Sequence, residues 1–441
     1  MMRVGGSGGS VPRYAPDMNE TNPELRSTEL ENGLVVITER HASRRSASVC
    51  WLVPGGVGHD PRDHGDGWAT MLSEFLLRGA GSHDSRSFSD ALDRLGTRRS
   101  VAADSYHMRI SATAPGPELP GVLDLLGDLV MRPRLPESGL EPVRALCLQE
   151  LAGIEDDPAH LVGIRLDEIR YPVPFERHGL GTESHLRAAT RDGLAEHWER
   201  ISGPKDSIIA IAGAVDHDRV VDHLRRATES WTCGADRPTP VSEPAGGIRR
   251  LPRDTSQVHL ALGLGGPVAG DPDALPFRVA VGILGGGTSS RLFLDVRERR
   301  GLAYAVGSRY DEGLALGAVT ISAGTTPDRV SETLERIDAV LEEYDESGPT
   351  DEEIRRIVVM LRASGLMQQE EGPSRARQLA LDRFRLGHPR SMAEILASYA
   401  SVEPDDVRRV ARDRLGASWR AAATRCLLGP AEAIGAGSDE G

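Results

Sequence analysis

The sequence predicts an α+β protein made of two homologous halves, each an α/β sandwich produced by tandem duplication, and three observations carry that expectation. One string of strand and helix patterns occurs twice in the same order. A segment rich in Pro and Gly separates the two copies. The chain, at 441 residues, also exceeds what one ordinary hydrophobic core supports, at roughly 100–200 residues per domain.

In the first copy the strand-like run Met108 to Thr113 leads to a helical pattern from Pro117 to Val130, then Pro136, then a second helical pattern from Leu140 to Ile154. In the second copy Val319 to Gly324 leads to a helical pattern from Pro327 to Tyr344, then Pro349, then one from Asp351 to Leu366. Such self-similarity is the mark of a repeated unit. Earlier strands are expected at Leu34 to Glu39, Ala47 to Val53 and Gln257 to Gly263. Strands mixed with helices, without strict βαβ alternation, favour a layered α+β sandwich over a doubly wound parallel sheet.

The division follows from composition. Residues 1–24 form an expected disordered tail, 25–232 a first α+β domain, 233–247 a linker, 248–429 a second α+β domain, and 430–441 a disordered tail. The linker, Cys233 to Gly247, concentrates Pro, Gly and small polar residues.

Charge and hydropathy exclude several function classes. A net charge of −14 argues against a nucleic-acid partner, which needs concentrated Lys and Arg, and makes basic peptides the better electrostatic candidates. Lys205 is the only lysine, a bias to which no chemistry is attached. No apolar run approaches the roughly 20 residues that cross a bilayer, so no membrane association is expected. Met1 to Tyr14 lacks the apolar core of a signal peptide, and a cytoplasmic location is expected. Cys50, Cys147, Cys233 and Cys426 are far apart in mainly apolar surroundings and read as buried thiols rather than a disulfide framework or zinc cluster.

The densest stretch runs from Leu284 to Tyr304, LGGGTSSRLFLDVRERRGLAY. Gly285, Gly286 and Gly287 remove side chains, so an extended ligand can approach the backbone. Ser289 or Ser290 can cap a helix running from Leu292 to Arg299, and Gly301 ends it. Arg297 would project from its last turns, suited to hold a backbone carbonyl or carboxylate. Tyr304 would follow on a strand, where a phenol can donate to a carbonyl or a developing oxyanion. Taken singly, Arg297 reads as part of a solvated charge run and Tyr304 as half-buried sheet filling. The Gly triplet lacks the Gly-Lys-Ser/Thr ending of a phosphate loop and the spacing of a dinucleotide fingerprint, so no nucleotide cofactor is expected.

Taken whole, this string resembles the pitrilysin/insulinase family of zinc peptidases, including the mitochondrial processing peptidase subunits and similar bacterial heterodimers. Those chains carry a Gly-rich turn, a Ser-Arg-Leu helix start and an arginine seven residues before a tyrosine, here Arg297 and Tyr304. The resemblance covers approximately residues 27–429.

Active members of that family hold zinc with a His-x-x-Glu-His helix, two histidines as ligands and the glutamate as base, and take a third ligand from a downstream glutamate. The flanking pattern is present as Gly67-Trp-Ala-Thr-Met-Leu-Ser-Glu-Phe-Leu-Leu-Arg-Gly79. Within it Thr70 and Glu74 occupy the ligand positions and Ser73 the base position. Only the downstream glutamate is retained, as Glu150. Two carboxylates without a nitrogen or sulfur donor make a poor zinc site. Glu74 and Glu150 are instead a candidate carboxylate pair, with a surface or salt-bridged pair as the alternative. His59 and His64 read as a polar loop rather than a replacement metal site.

The resemblance therefore implies a non-catalytic subunit of a heterodimeric zinc metallopeptidase, inactive alone. Arg297 and Tyr304 would act in trans on a peptide lying along Gly285, Gly286 and Gly287. This chain would carry no cofactor of its own, and zinc would sit in a homologous partner with an intact His-x-x-Glu-His helix. The alternatives are a scaffold or peptide-binding protein of the same fold and, last, a self-sufficient metallopeptidase with aberrant ligands.

Overall fold

The structure is a computed structural model and describes residues 23–232, 234–416 and 421–435. In the first half the strands are β1 (Glu24–Glu29), β2 (Val35–Arg40), β3 (Ser46–Pro54), a minimal hairpin of β4 (Gly79–Ala80) and β5 (His83–Asp84), β6 (Arg98–Ala103), β7 (His107–Pro115) and β8 (Ile208–Gly213). All but the hairpin form one sheet in the order β1-β2-β8-β3-β7-β6. The second half contributes β9 (Ile248–Pro252), β10 (Val258–Gly266), β11 (Ala303–Glu312), β12 (Gly317–Thr325) and β13 (Thr424–Gly429), ordered β9-β13-β10-β12-β11.

The two sheets share one topology. In each, the last strand of the half runs parallel to the first strand (β8 on β2, β13 on β9) and antiparallel to the second (β8 on β3, β13 on β10). Leaving aside the added β1, the strands correspond one to one, so the α+β class and the duplication are both present. The helices repeat as well: Leu119–Met131 and Glu137–Glu155 in the first half match Val330–Ser347 and Asp351–Glu370 in the second.

Alternation along the strands explains the two faces of each sheet. Val36, Val49, Trp51, Val53, Ile209 and Ile211 point into the first core with Leu72, Phe75 and Leu126 from the helices of the same half. The intervening residues Val35, Ile37, Cys50, Leu52, Ile208 and Ala210 form the opposite face and are equally buried. Strands buried on both faces read as continuous apolar runs, which is why β8 is Ile-Ile-Ala-Ile-Ala-Gly.

What covers that second face comes from the other half. Helix Gly372–Leu386 lays Ala376, Leu379, Ala380 and Phe384 on the outer face of the first sheet. Reciprocally, helix Pro158–Arg170 of the first half lays Leu161, Val162 and Leu166 on Ala261, Cys426 and Leu428 of the second sheet. These helices follow directly on the matched pair Glu137–Glu155 and Asp351–Glu370, so the halves exchange equivalent helices.

An ion pair fastens each exchange. Arg375, 1% exposed, donates from Nε to both carboxylate oxygens of Glu39 on β2, each at 2.9 Å, and from Nη2 to the carbonyl of Arg390 at 2.7 Å. The same carboxylate meets His41 Nε2 at 2.6 Å. Burial pushes the Glu39 carboxyl up, but hydrogen bonds from His41 and Arg375 outweigh it and hold the group down at about 2. At the other exchange Arg170 pairs with Asp167 at 2.7 Å and donates to Thr320 Oγ1 at 2.7 Å.

Among the expected boundaries, residues 234–247 contain no helix or strand, and they are tied to the first half by Ala235 N to Ile201 O (3.1 Å), Val241 N to Val173 O (2.9 Å) and Gly246 N to Ile169 O (2.7 Å). The disorder expected from residue 430 is corrected: Ala431–Ile434 is a helical turn, with Ile434 buried and its carbonyl accepting from Arg250 Nε at 3.0 Å. Residues 1–22 and 436–441 of the two expected tails, and Cys233, lie outside the described residues. Cys50, Cys147 and Cys426 are buried free thiols. Among the described residues no helix is long and apolar enough to cross a membrane.

Two predictions follow from the clasp. Arg375→Met leaves Glu39 charged and unpaired in the interior and should cost about 3–5 kcal/mol in urea unfolding, whereas Glu39→Met/Arg375→Met should cost clearly less than the two single changes added. Because the folded Glu39 carboxyl lies near 2, below its ordinary 4.5, its contribution is complete above pH 4.5 and is lost as pH falls towards 2. The acid limb of the unfolding profile should flatten over that window in Glu39→Gln.

Candidate functional site

The helix expected to bear the metal motif forms as Trp68–Phe75 and continues as a tighter turn, Leu76–Arg78. Its two flanking glycines are backbone requirements. Gly67 has φ +95° and Gly79 φ +122°, both outside the range comfortable for a side chain, and a Cβ on Gly67 would come within 2.9 Å of Gly181. The helix start is also anchored by Asp60, which accepts from Gly67 N at 3.1 Å and Ala69 N at 2.9 Å. Asp60 is buried beside Arg177, and burial pushes its carboxyl up to about 8 against the pull of that guanidinium. The loop expected to be merely polar thus carries a buried anchor between a half-buried His59 and an exposed His64.

The three motif positions face polar neighbours that use them up. Thr70 Oγ1 donates to the Gly179 carbonyl at 2.7 Å, and Ser73 Oγ donates to the Thr70 carbonyl at 2.8 Å. Glu74 lies close enough to Glu150 on helix Glu137–Glu155 that its charge adds to burial in raising the Glu150 carboxyl. Both glutamates neighbour the Cys147 thiol, which burial first, and then their charges, push up to about 12. The expected carboxylate pair therefore exists. The set does not fit zinc: both hydroxyls are engaged as donors to carbonyls, and Glu74 and Glu150 supply no nitrogen. Among the described residues no group of three or more His, Cys, Asp or Glu is placed to hold a metal ion.

The second set lies in the other half. Helix Ala274–Gly285 packs on β11 so closely that a Cβ on Gly285 would come within 2.3 Å of Ser308 N. Gly285 is buried for that reason, which corrects the expectation that it lines a ligand channel. Gly286 and Gly287 are exposed, and nothing lies within 4 Å of the position of a Cβ on Gly287. The expected serine cap is also absent: Ser290 Oγ is buried without a hydrogen-bond partner, and the start of the following helix has no side-chain cap.

That helix is wound as a π-helix over Phe293–Arg299, ending where Gly301, at φ +61°, donates to the Arg297 carbonyl at 3.0 Å. Arg297 lies with its guanidinium carbon 4.7 Å from the Phe293 ring centroid and 5.5 Å from that of Tyr304. The one nearby acid is saturated: Asp295 is held by Arg336, by Arg300 at 3.2 Å and by Arg299 at 3.9 Å. Arg297 itself makes no ion pair or side-chain hydrogen bond among the described residues. Aromatic faces hold its plane while its N–H donors stay available.

Tyr304 is 77% exposed and so is not sheet filling. It sits at a bulge on the edge strand: Ala303 pairs with Thr325 and Ala305 with Gly324, leaving Tyr304 as the extra residue. A bulge redirects the side chain it carries. Arg297 and Tyr304 are thus brought together. No hydrogen bond, ion pair or ring contact among the described residues joins them to Thr70, Ser73, Glu74 or Glu150.

Reading the sequence missed Phe293, Asp295 and Arg336. The spacing of Phe293 to Arg297, four residues, was a usable signal, whereas Arg336 arrives from a distant helix and left none.

Residues 35–182 match the family described as Insulinase (Peptidase family M16), and residues 188–361 match that described as Peptidase M16 inactive domain. A protein of Streptomyces coelicolor, named an uncharacterized zinc protease, is 32% identical over 408 residues, covering 89% of this chain and 87% of that protein. A Mycobacterium tuberculosis protein, named likewise, is 31% identical over 431 residues, 95% of this chain and 96% of that one. Among solved structures, a peptidase M16 inactive domain from Pseudomonas fluorescens superposes with TM-score 0.83 at 20% identity, covering 92% of this chain and 98% of that one. A protease from Helicobacter pylori gives the same TM-score and identity over 92% and 100%.

Because Tyr304 is exposed and Arg297 is unpaired, Tyr304→Phe and Arg297→Ala should each change folding stability by no more than about 0.5 kcal/mol in chemical denaturation. Thr70→Val, which strands the Gly179 carbonyl, should cost about 1–2 kcal/mol in the same measurement.

Proposed function

The chain belongs to the insulinase family of peptidases, family M16, and from that premise we propose that it is the non-catalytic subunit of a heterodimeric zinc endopeptidase. The observation that carries this reading is Arg297: a guanidinium positioned by two aromatic rings and left without a partner, beside an exposed tyrosine on a bulge.

In this reading a peptide lies along the exposed Gly286 and Gly287. Arg297 binds a substrate carbonyl or carboxylate, for which its planar donors are suited. The Tyr304 hydroxyl donates to the adjacent carbonyl, a bond that shortens as negative charge develops on that oxygen. The metal and its base belong to a homologous partner with an intact His-x-x-Glu-His helix, which supplies the activated water. Positional and electrostatic contributions require only correct placement, whichever chain provides them. We place the pair in the cytoplasm.

A scaffold of the same fold would equally account for Thr70, Ser73 and Glu74. It gives no reason for Arg297 to be held unpaired.

Purified alone, the full chain should bind far less than one equivalent of zinc by metal analysis and should not hydrolyse oligopeptides. Stoichiometric zinc with cleavage by the lone chain would overturn the reading. Pulled from its own cells, the tagged chain should bring a zinc-binding homologue. In that pair Tyr304→Phe or Arg297→Ala should lower kcat/KM by about 100-fold with zinc content unchanged. Unaltered turnover in both variants would leave the scaffold reading standing.

A further inference from the structure

Far in sequence from Arg297 and Tyr304, a cavity of about 630 Å³ opens where β2 and β8, running parallel, both end. The crevice beyond the carboxyl ends of parallel strands is a recurrent ligand position, and this volume lies within the roughly 300–1,000 Å³ of small-molecule sites.

Two chemistries meet in it. Leu119 and Leu123, from helix Leu119–Met131, close the bottom together with Val215 and Val220, and Pro117 and Pro120 form an apolar wall. The rim is cationic: Arg40 from the end of β2, His41 and Arg44 from the loop after it, and Arg219 and Arg226 from helix His217–Ala227. The rim acids are committed elsewhere. Asp216 caps its helix by accepting from Arg219 N at 3.0 Å, and Asp222 accepts from Arg225 at 2.6 Å. Arg40 and Arg219 make no ion pair or side-chain hydrogen bond among the described residues.

A concentration of arginine over an aliphatic floor runs against the average of a chain whose net charge is −14. Exposed surface arginines alone would mean little. Here they surround a concave apolar surface, which favours a ligand with both an anionic head and a hydrocarbon body. We propose that this cavity binds an amphipathic anion, a carboxylate or phosphate monoester on a short aliphatic body, its head at Arg40 and Arg219 and its body against Pro117, Pro120 and the leucines beneath. The site shares no residue with the peptide-binding set, so it stands or falls independently of the proposed function.

Isothermal titration of the full chain with octanoate, octyl phosphate, octanol and inorganic phosphate tests it. Octanoate and octyl phosphate should saturate at one site, and whichever binds tighter identifies the head as carboxylate or phosphate. Octanol and inorganic phosphate should each bind at least about tenfold more weakly, having lost one of the two contacts. Arg40→Gln/Arg219→Gln should weaken octanoate and octyl phosphate by at least about tenfold. Pro120→Glu, which places a carboxylate in the wall at an exposed helix start, should do the same with folding retained. Absence of saturable binding by both anionic probes would overturn the proposal, as would unchanged affinity in both variants. Inorganic phosphate binding as tightly as octyl phosphate would overturn its amphipathic part.

Discussion

The buried ion pair between Arg375 and Glu39 is the interaction on which the arrangement of the molecule turns. A guanidinium 1% exposed is tolerable only when its charge is met, and the partner that meets it belongs to the other half of the chain. Around it, Ala376, Leu379 and Ala380 press on a sheet face that would otherwise stand open. Neither half can cover both faces of its own sheet, since the helix for the outer face is supplied by the other. Apolar burial gives the exchange its strength. The ion pair gives it register, because a one-turn slip of helix Gly372–Leu386 would bury both charges unpaired.

That dependence explains what could be read in the sequence. Strands such as Ser46–Pro54 and Val258–Gly266, and the paired helices after Pro136 and Pro349, announce themselves through short-range periodicity and punctuation. The exchange does not, because an apolar stripe on a helix carries no label for the sheet it will cover. Glu39 and Arg375 lie 336 residues apart and neither stands in a motif. The expectation of disorder from residue 430 failed on similar grounds: a Gly-rich end hid Ile434, whose burial is decided by its neighbours in space.

The candidate site divides along the same line. Arg297 and Tyr304 were legible because a long contiguous string carried them, and the structure joins them through Phe293 and a bulge. Gly285 was misread because a glycine triplet suggests one role, whereas its members have two: Gly285 lets a helix approach a strand, and Gly286 and Gly287 lie at the surface. Ser290 was misread because a cap requires its hydroxyl to face the backbone, and here it is buried away from any partner.

The contrast between the halves shows that holding a helix in place and doing chemistry on it are separable demands. Around Trp68–Phe75 everything that positions the backbone is in order: Gly67 adopts its left-handed turn, Asp60 satisfies two amide donors, and the segment at Gly179 to Gly181 closes over the top. What is missing is confined to Thr70, Ser73 and Glu74, and small hydroxyls there bond carbonyls without disturbing the helix. In the second half the balance is reversed. A π-helical turn and an edge bulge are both departures from regular structure, and both bear directly on where Arg297 and Tyr304 point. Irregular backbone is costly to keep for packing alone, so its concentration at this pair, together with its absence from the helix of the other half, locates the chemistry-bearing surface of this chain on its second half.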